Sequence, residues 1–255
     1  MPKRLLILTT VLLLAASASA KNLYIPIVGR VGGANGTFFR TDVRIFNPSA
    51  SHDLAVSLHF LPRGIEGTNI PGRIVVIPKR QMIVLDDIVG NFFGMPSGLG
   101  ALRLDSDEAF SYSFSADSRT YTDSSNGTFG QFIPALDVDS AFKDHVVLHV
   151  TQDAEYRTNA GVMNPTDEPA HVTAFLVRAD GTLLTPEVEI TVLPKSMIQN
   201  SLAATFNTDR QVDDGFILFK SSVPVFTWVS VIDNRSGDQV FIPGAEDKDE
   251  VTPLP

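Results

Sequence analysis

Alternating apolar and polar positions define a strand-like stretch that occurs twice in this chain, around Arg40 and again around Arg157. In the first copy the odd-numbered residues from 39 to 45 are mainly apolar, and the residues between them are charged. In the second copy, Thr158, Ala160 and Val162 occupy the corresponding positions. A period of two is typical of a strand with one face in the core. An Asn-Pro pair ends the stretch in both copies, because proline has no N–H to donate. The pattern predicts equivalent strands in two equivalent units.

The match between the two copies continues through five further segments in the same order. They are 56–60 with 172–176, 74–79 with 190–195, 100–104 with 215–219, 110–116 with 225–231, and 132–134 with 241–243. Helical periodicity is weak, and 82–93 and 197–206 predict no more than a short helical turn each. Short strands broken about every 8 to 12 residues by turn residues predict two tandem antiparallel β-sandwich domains related by internal duplication. A closed barrel is the alternative.

The N-terminus has the pattern of a secretory signal peptide. Lys3 and Arg4 precede an apolar run from 5 to 16, and small residues follow up to Ala20. The run is shorter than the roughly 20 residues that span a bilayer. We therefore expect a signal peptide at 1–20, a first β-sandwich domain at 21–138, a second at 139–245, and a disordered acidic tail at 246–255. The mature protein is predicted to be periplasmic, on the cell surface or extracellular, with no membrane span.

Charge and cysteine content narrow the classes of partner. The net charge is −9 and becomes −11 without residues 1–20, because these contain Lys3 and Arg4 and no acidic residue. Such a surface repels nucleic acid, so we expect no nucleic-acid partner. The chain contains no cysteine, which excludes a disulfide framework and a thiolate metal site. We expect no cofactor.

A family resemblance rests on the turns and strands described above. A strand ending in Asn-Pro, an alternating strand at 56–60 and a glycine turn resemble the immunoglobulin-like modules of secreted bacterial proteins. From 22 to 245 the chain is similar to uncharacterised secreted bacterial proteins that carry this unit in tandem. In those proteins the unit ends in a Gly-Thr-Phe-Gly-Gln-Phe-Ile-Pro sequence such as residues 127–134 here. The second copy departs from that ending, with Asp238-Gln239-Val240 before its Phe-Ile-Pro. The resemblance implies an immunoglobulin-like fold and brings no catalytic or ligand residues.

Four residues are candidates for ligand binding. Arg40 and Arg157 each have a forked guanidinium that suits a carboxylate or a sugar hydroxyl. Alternatively, they pair with neighbouring acids across the strands and cover the sheet face. Tyr112 and Trp228, together with Tyr121, are candidates for a platform on which a sugar ring stacks. Phe46 and Met163 fall on the outward face, where they either form a binding surface or are covered by a loop or by the other domain.

The sequence contains no motif specific for catalysis or a metal. Acidic residues at 137–144 are candidates for calcium ligands, but they lack the spacing of a calcium loop and are better explained as solvated turn residues. His145 and His149 are four apart in a predicted strand, about 13 Å at the usual rise, so they cannot share a metal. No nucleophile elbow, zinc-protease motif or phosphate-binding loop is present. We predict no catalytic residue and no metal site.

These observations predict a secreted, non-enzymatic binding or structural module that presents its sheet faces and loops to an extracellular protein or glycan. One alternative is a carbohydrate-binding protein that uses exposed aromatic residues, including Trp228 and Tyr112. The other is a hydrolase with its site between the two domains. That alternative requires a cleft with two carboxylates, or with a serine and a histidine, contributed by both copies.

Overall fold

The computed structural model describes residues 21–106, 114–125 and 127–248, which fold into two antiparallel β-sheets. The predicted all-β class is confirmed. Helical segments are short: 3-10 turns at Ala34–Gly36 and Val138–Ser140, a π-helical turn at Ile88–Phe92, and helix α1 at Leu202–Phe206. In the described ranges, no helix has the length and apolar character needed to span a membrane. The predicted signal peptide lies outside these ranges.

Nine strands of the first half, residues 21–137, form the first sheet. They are β1 (Lys21–Gly32), β2 (Phe38–Phe46), β3 (Leu54–Pro62), β4 (Arg73–Ile77), β5 (Met82–Leu85), β6 (Gly98–Ser106), β7 (Ser115–Ser124), β8 (Gly127–Pro134) and β9 (Leu136–Asp137). Their order is β4-β3-β6-β1-β2-β7-β8, with β5 paired to β2 and β9 paired to β1. The register between β1 and β6 shifts between Ile25 and Val28, where Pro26 lacks an N–H to donate.

Eight strands of the second half, residues 138–248, form the second sheet. They are β10 (Phe142–Gln152), β11 (Tyr156–Asn164), β12 (Ala170–Val177), β13 (Val188–Val192), β14 (Ser196–Ser201), β15 (Val212–Asp233), β16 (Gln239–Pro243) and β17 (Ala245–Glu246). The order is β13-β12-β15-β10-β17, and the later part of β15 also pairs with β11 and β16. Glu246, which we predicted to begin a disordered tail, instead lies in β17 opposite His145.

Strand pairings of the first sheet recur in the second. The long strand β15 takes the place of β6 in its first part and of β7 in its second part. With this correspondence, seven pairings of the first sheet (β1–β6, β1–β9, β2–β5, β2–β7, β3–β4, β3–β6 and β7–β8) have a counterpart in the second. The pairing of β1 with β2 is the difference between the two sets.

Burial along β2 follows the predicted alternation. Thr41, Val43 and Ile45 are fully buried, and the charged residues between them are half-buried. In β11 both faces become buried from Ala160 onward, because Gly161 and Met163 on the opposite face are buried as well. The period-two pattern therefore identifies the core face of both strands, and in β11 a second layer covers the other face.

That second layer is the first half of the chain. Met163, Met197, Phe226 and Trp228 are buried in the same apolar cluster as the core of the first half. The rings of Tyr24 and Phe226 lie 6.0 Å apart across the boundary. The two halves therefore share a continuous apolar contact. Met163 is covered by the other half, as one of the two sequence-based interpretations predicts.

The repeated Asn-Pro motif holds strand ends together. Asn47 at the end of β2 donates through Nδ2 to the Ile77 carbonyl of β4 at 2.9 Å, and its Oδ1 accepts from the Ser49 amide at 2.9 Å. Asn164 at the end of β11 donates to the Val192 carbonyl of β13 at 3.2 Å, and its Oδ1 accepts from the Thr166 amide at 3.0 Å. Both side chains are fully buried. The motif thus satisfies buried backbone groups at equivalent places in both halves.

Candidate functional site

A cleft of about 540 Å³ lies where the two halves meet, and we call it the central cleft. Its volume falls in the range of about 300 to 1,000 Å³ that is usual for ligand pockets. The first half contributes residues of β1, β2, β6, β7 and β8 and Arg63, and the second half contributes residues of β11, β14, β15, β16 and α1. The polar side chains that line it are Arg63, Thr120, Gln131, Arg157, Asn159, Gln199, Asn200, Ser201 and Gln239.

Strand register places the polar groups of the second half on one face. Arg157, Asn159 and Gly161 alternate along β11, so their side-chain positions point the same way. In the neighbouring strand β14, Ser201 lies opposite Asn159, and Gln199 lies opposite Gly161. Cross-strand partners share a face. The result is a strip of amide, hydroxyl and guanidinium groups that faces the first half.

Trp228 lies at the inner end of this strip and is fully buried. Its indole Nε1 donates to Gln199 Oε1 at 2.9 Å, which orients the Gln199 side chain. Its ring also stacks against Phe241, with centroids 6.3 Å apart. The prediction that Trp228 belongs to an exposed sugar-stacking platform is therefore wrong, because the first half of the chain covers the ring.

The two guanidinium groups of the central cleft come from different halves. Arg157 is half-buried, and its Nη1 donates to Asn234 Oδ1 at 2.7 Å. Burial lowers the pKa of Arg157, and the nearby Asp233 carboxylate acts in the opposite direction. Arg63 is exposed in the turn after β3, and its Nη1 donates to the Gln199 backbone carbonyl at 3.2 Å.

Arg40 does not reach the central cleft, although it occupies the position in β2 that Arg157 occupies in β11. Its Nε donates to the Tyr121 hydroxyl at 3.0 Å, and its Nη2 lies 2.7 Å from an oxygen of Asp123. The guanidinium also lies over the Tyr121 ring, 4.7 Å from the centroid. The hydrogen bond to Tyr121 raises the pKa of Arg40. Arg40 thus forms the cross-strand pairing that was the alternative to ligand binding.

The remaining predicted features do not join the cleft. Tyr112 lies outside the described residues. Tyr121 is covered by Arg40 and by Arg119, whose guanidinium carbon is 5.0 Å from the ring centroid. Within the described ranges, no group of three or more histidine, aspartate or glutamate side chains is placed to hold a metal. Asp137, in the segment considered for calcium, caps a 3-10 turn by accepting from the Asp139 amide at 3.2 Å.

Several residues of the central cleft lie in sequence patterns that do not identify them as binding residues. Arg63 lies in a segment whose sequence predicts only a turn, and Gln131 follows a glycine in β8. Gln131 is almost fully buried, and its Oε1 has no hydrogen-bond partner among the described residues. The described lining contains no carboxylate and no histidine. It therefore lacks both the paired carboxylates and the serine–histidine pair that the hydrolase hypothesis requires.

No protein-family model matches this chain, and no curated protein sequence matches it. Among solved structures, it is similar to a Thermotoga maritima protein, described as Thermotoga maritima 1070, with 15% sequence identity and a TM-score of 0.37. The similar region covers 42% of this chain and 97% of the other. A similarity of this size carries no argument about fold or function.

Proposed function

We propose that this chain is an extracellular, non-enzymatic binding module and that its central cleft binds a glycan. The observation that supports this proposal is the composition of the lining. Amide and hydroxyl groups dominate its polar part, and the described lining has neither a carboxylate nor a histidine. Each glutamine or asparagine offers two donors and an acceptor on one side chain, which suits adjacent sugar hydroxyls. Extracellular placement rests on the signal-peptide pattern at 1–20.

The way these groups are held also favours binding. Asn159, Gln199 and Gln239 project from strands, whose backbone is fixed by the ladder, and Gln199 is further oriented by Trp228. A ligand that meets preorganised donors loses less entropy on binding. Apolar side chains such as Phe39 and Ile232 complete the lining and suit the non-polar face of a sugar ring.

A substitution in the cleft tests the proposal. Asn159→Leu keeps a similar side-chain size and removes both donor and acceptor from the centre of the polar strip. We expect wild type to bind saccharides on a glycan array and this variant to lose at least tenfold in affinity. Asn69→Leu, in an exposed loop of the first half, is the matched control and should bind as wild type does. Binding that is equal in both variants, or no binding by wild type, would overturn the proposal.

We also infer that the two halves are immunoglobulin-like sandwich domains produced by duplication. Support comes from the seven recurring strand pairings and from the equivalent hydrogen bonds of Asn47 and Asn164. A third repeated element is the buried threonine: Thr41 Oγ1 donates to the Gly29 carbonyl, and Thr158 Oγ1 donates to the Thr151 carbonyl. Superposition of the Cα atoms of the two halves tests the inference, which fails if equivalent strands do not overlay.

A further inference from the structure

The central cleft carries positive charge in an acidic protein. Its described lining includes Arg63 and Arg157 and no acidic residue, although the chain as a whole has a net charge of −9. A concave, partly desolvated site strengthens the field of any charge that lines it. The cleft is therefore a locally cationic site on a surface that otherwise repels anions.

Within the described part of the chain, neither guanidinium of the cleft forms an ion pair. Five other arginines lie within salt-bridge distance of an aspartate or glutamate: Arg30, Arg40, Arg44, Arg103 and Arg235. The acid closest in sequence to the Arg157 partner Asn234 is Asp233. Its Oδ1 accepts from the backbone amides of Arg235 and Ser236, at 2.7 Å each. Asp233 therefore caps its own turn and attracts Arg157 only through space, without a salt bridge to it.

Arg157 loses part of its hydration without forming an ion pair within the described residues, although the Asp233 carboxylate attracts it through space. It is half-buried, so its charged form is less well solvated than in water, and this burial lowers the pKa of Arg157. A bound anion offsets that loss, since a guanidinium and a carboxylate form two parallel charge-assisted hydrogen bonds. The geometry around Arg157 is thus better completed by an anionic ligand than by the protein alone.

The two arginines are separated along the cleft. Arg63 contacts Gln199, and Gln199 lies opposite Gly161, which is four residues from Arg157 in β11. Four residues of strand span about 13 Å. The backbone positions that hold the two guanidinium groups are thus separated along the cleft. An extended ligand with a repeated negative charge suits this separation better than a single small anion does.

From these observations we propose that the ligand of the central cleft is an acidic oligosaccharide whose uronate carboxylates pair with Arg63 and Arg157. This inference rests on the proposed glycan-binding function and specifies its ligand class. The amide strip between the arginines, which includes Asn159 and Ser201, then receives the sugar hydroxyls.

The test compares ligands that share one sugar backbone and differ only at the carboxyl group. Titration calorimetry is performed with oligogalacturonate and with the same oligosaccharide after complete methyl esterification, which keeps the backbone and removes the negative charges. We expect the acid to bind at least tenfold more tightly than the ester and to weaken as salt is raised, because salt screens ion pairing. Equal binding of acid and ester, or tighter binding of a sulfated oligosaccharide that has no carboxylate, overturns the carboxylate assignment and leaves glycan binding standing. Binding of none of them, with a negative glycan array, overturns both proposals.

Variants locate the contacts. Arg63→Gln and Arg157→Gln each remove one positive charge from the cleft, and we expect each to weaken oligogalacturonate binding at least fivefold with little effect on the ester. Arg80→Gln removes the same charge from the exposed turn between β4 and β5 and should bind as wild type does. The emission of Trp228, the only tryptophan, verifies that each variant is folded. A folded Arg157→Gln protein with unchanged affinity for the acid contradicts the assignment.

Discussion

Gly161 lies directly opposite Trp228 in the ladder between β11 and β15, and the indole ring occupies the space that a side chain at 161 would need. A Cβ atom built on Gly161 would lie 2.2 Å from two carbon atoms of the indole. Real Cβ atoms do not approach other atoms so closely. Position 161 is therefore restricted to glycine by the fully buried tryptophan across from it, at the contact between the two halves.

Gly161→Ala is expected to destabilise the protein by about 1 to 3 kcal/mol, the usual cost of overpacking a filled interior. The free energy of unfolding from denaturant titration measures the effect. Gly32→Ala is the matched control, because a Cβ at that strand position meets nothing within 4 Å and needs no backbone change. It should be neutral or slightly stabilising, since alanine restricts the unfolded chain. Equal stabilities of the two variants would show that the ring does not constrain position 161.

A second substitution separates ring overlap from any other effect of the alanine. Trp228→Phe leaves a smaller ring and should relieve part of the overlap in the Gly161→Ala background. We expect the double variant to be less destabilised than the sum of the two single variants, with a coupling of about 1 kcal/mol. Additive effects would indicate that the cost at 161 has a source other than the indole.

The sequence predicts which face of each strand meets its own core, and little about what meets the other face. Apolar alternation identifies Val43 in β2 and Val162 in β11 as core residues, and both are buried. Trp228 lies in the segment 225–230 of β15, where every residue is buried, so periodicity alone cannot tell a core face from an interface. Its exposure depends on the packing of the other half, which is a property of the whole fold.

The central cleft was unpredictable for the same reason. Arg63 and Arg157 belong to different halves and are brought to one cavity by the contact between them. The match between Arg40 and Arg157 in sequence suggests a shared role, but Tyr121 and Asp123 lie beside Arg40 and satisfy it locally. Repetition predicts equivalent backbones, whereas the surroundings of equivalent side chains depend on neighbours that are not repeated.

The buried asparagines at the ends of β2 and β11 should contribute to stability far more than a turn residue normally does. In Asn47→Ala, the carbonyls of Ile77 and His52 lose the side-chain donor that bonds them, and the Ser49 amide loses its acceptor. Leaving such groups buried and unpaired is expected to cost about 1 to 3 kcal/mol of unfolding free energy. Asn69→Ala, in an exposed loop, should change it by less than about 0.5 kcal/mol.

The equivalent substitution in the other half provides the internal comparison. Asn164→Ala removes donors from the Val192 and Glu168 carbonyls. It should therefore destabilise to a similar extent as Asn47→Ala. Denaturant titration of both variants checks the prediction, which is contradicted if either behaves like Asn69→Ala.

Because His145 is buried, we expect the protein to lose stability in acid. Its Nε2 bonds the carbonyls of Phe142 and Val225 at 3.0 Å each, and its Nδ1 is buried without a partner among the described residues. Burial lowers the pKa of His145, and the hydrogen bonds to these two carbonyls, together with the charges of Asp144 and Glu246, partly oppose that shift. The folded state therefore favours neutral imidazole. Its contribution is present above the unfolded pKa of about 6.5 and is lost as pH falls through the folded pKa, by at most about 1.4 kcal/mol per pH unit.

The measurement for His145 is the difference in pH dependence between variants. His145→Gln keeps a side-chain donor and removes the titration, so its unfolding free energy should fall less steeply than that of wild type below pH about 6.5. His171→Gln is the control, because it removes an exposed histidine of β12. Its unfolding free energy should have the same pH dependence as that of wild type. Parallel curves for all three proteins would exclude His145 as the source of the acid sensitivity.

Because Tyr24 is buried, we expect the protein to lose stability in alkali as well. The residue is buried in the contact between the halves, where its hydroxyl faces the Pro165 carbonyl at 3.5 Å and its ring packs against Phe226. Burial raises the pKa of Tyr24 well above its usual range, an effect that Arg103 only partly offsets. Since the folded state holds the proton more tightly, its contribution is complete below the unfolded pKa of about 10 and is lost as pH rises toward the folded pKa.

Tyr24→Phe should thus leave stability near neutral pH almost unchanged, because the bond to Pro165 is long, and should flatten the loss of stability above pH about 10. Phenolate absorbance supplies an independent readout, in which wild-type Tyr24 ionises only as the protein unfolds. Tyr156→Phe, at an exposed tyrosine, is the control and should retain the wild-type slope. If Tyr24→Phe loses stability in alkali as steeply as Tyr156→Phe, then water reaches the Tyr24 hydroxyl and the two halves are not in continuous apolar contact.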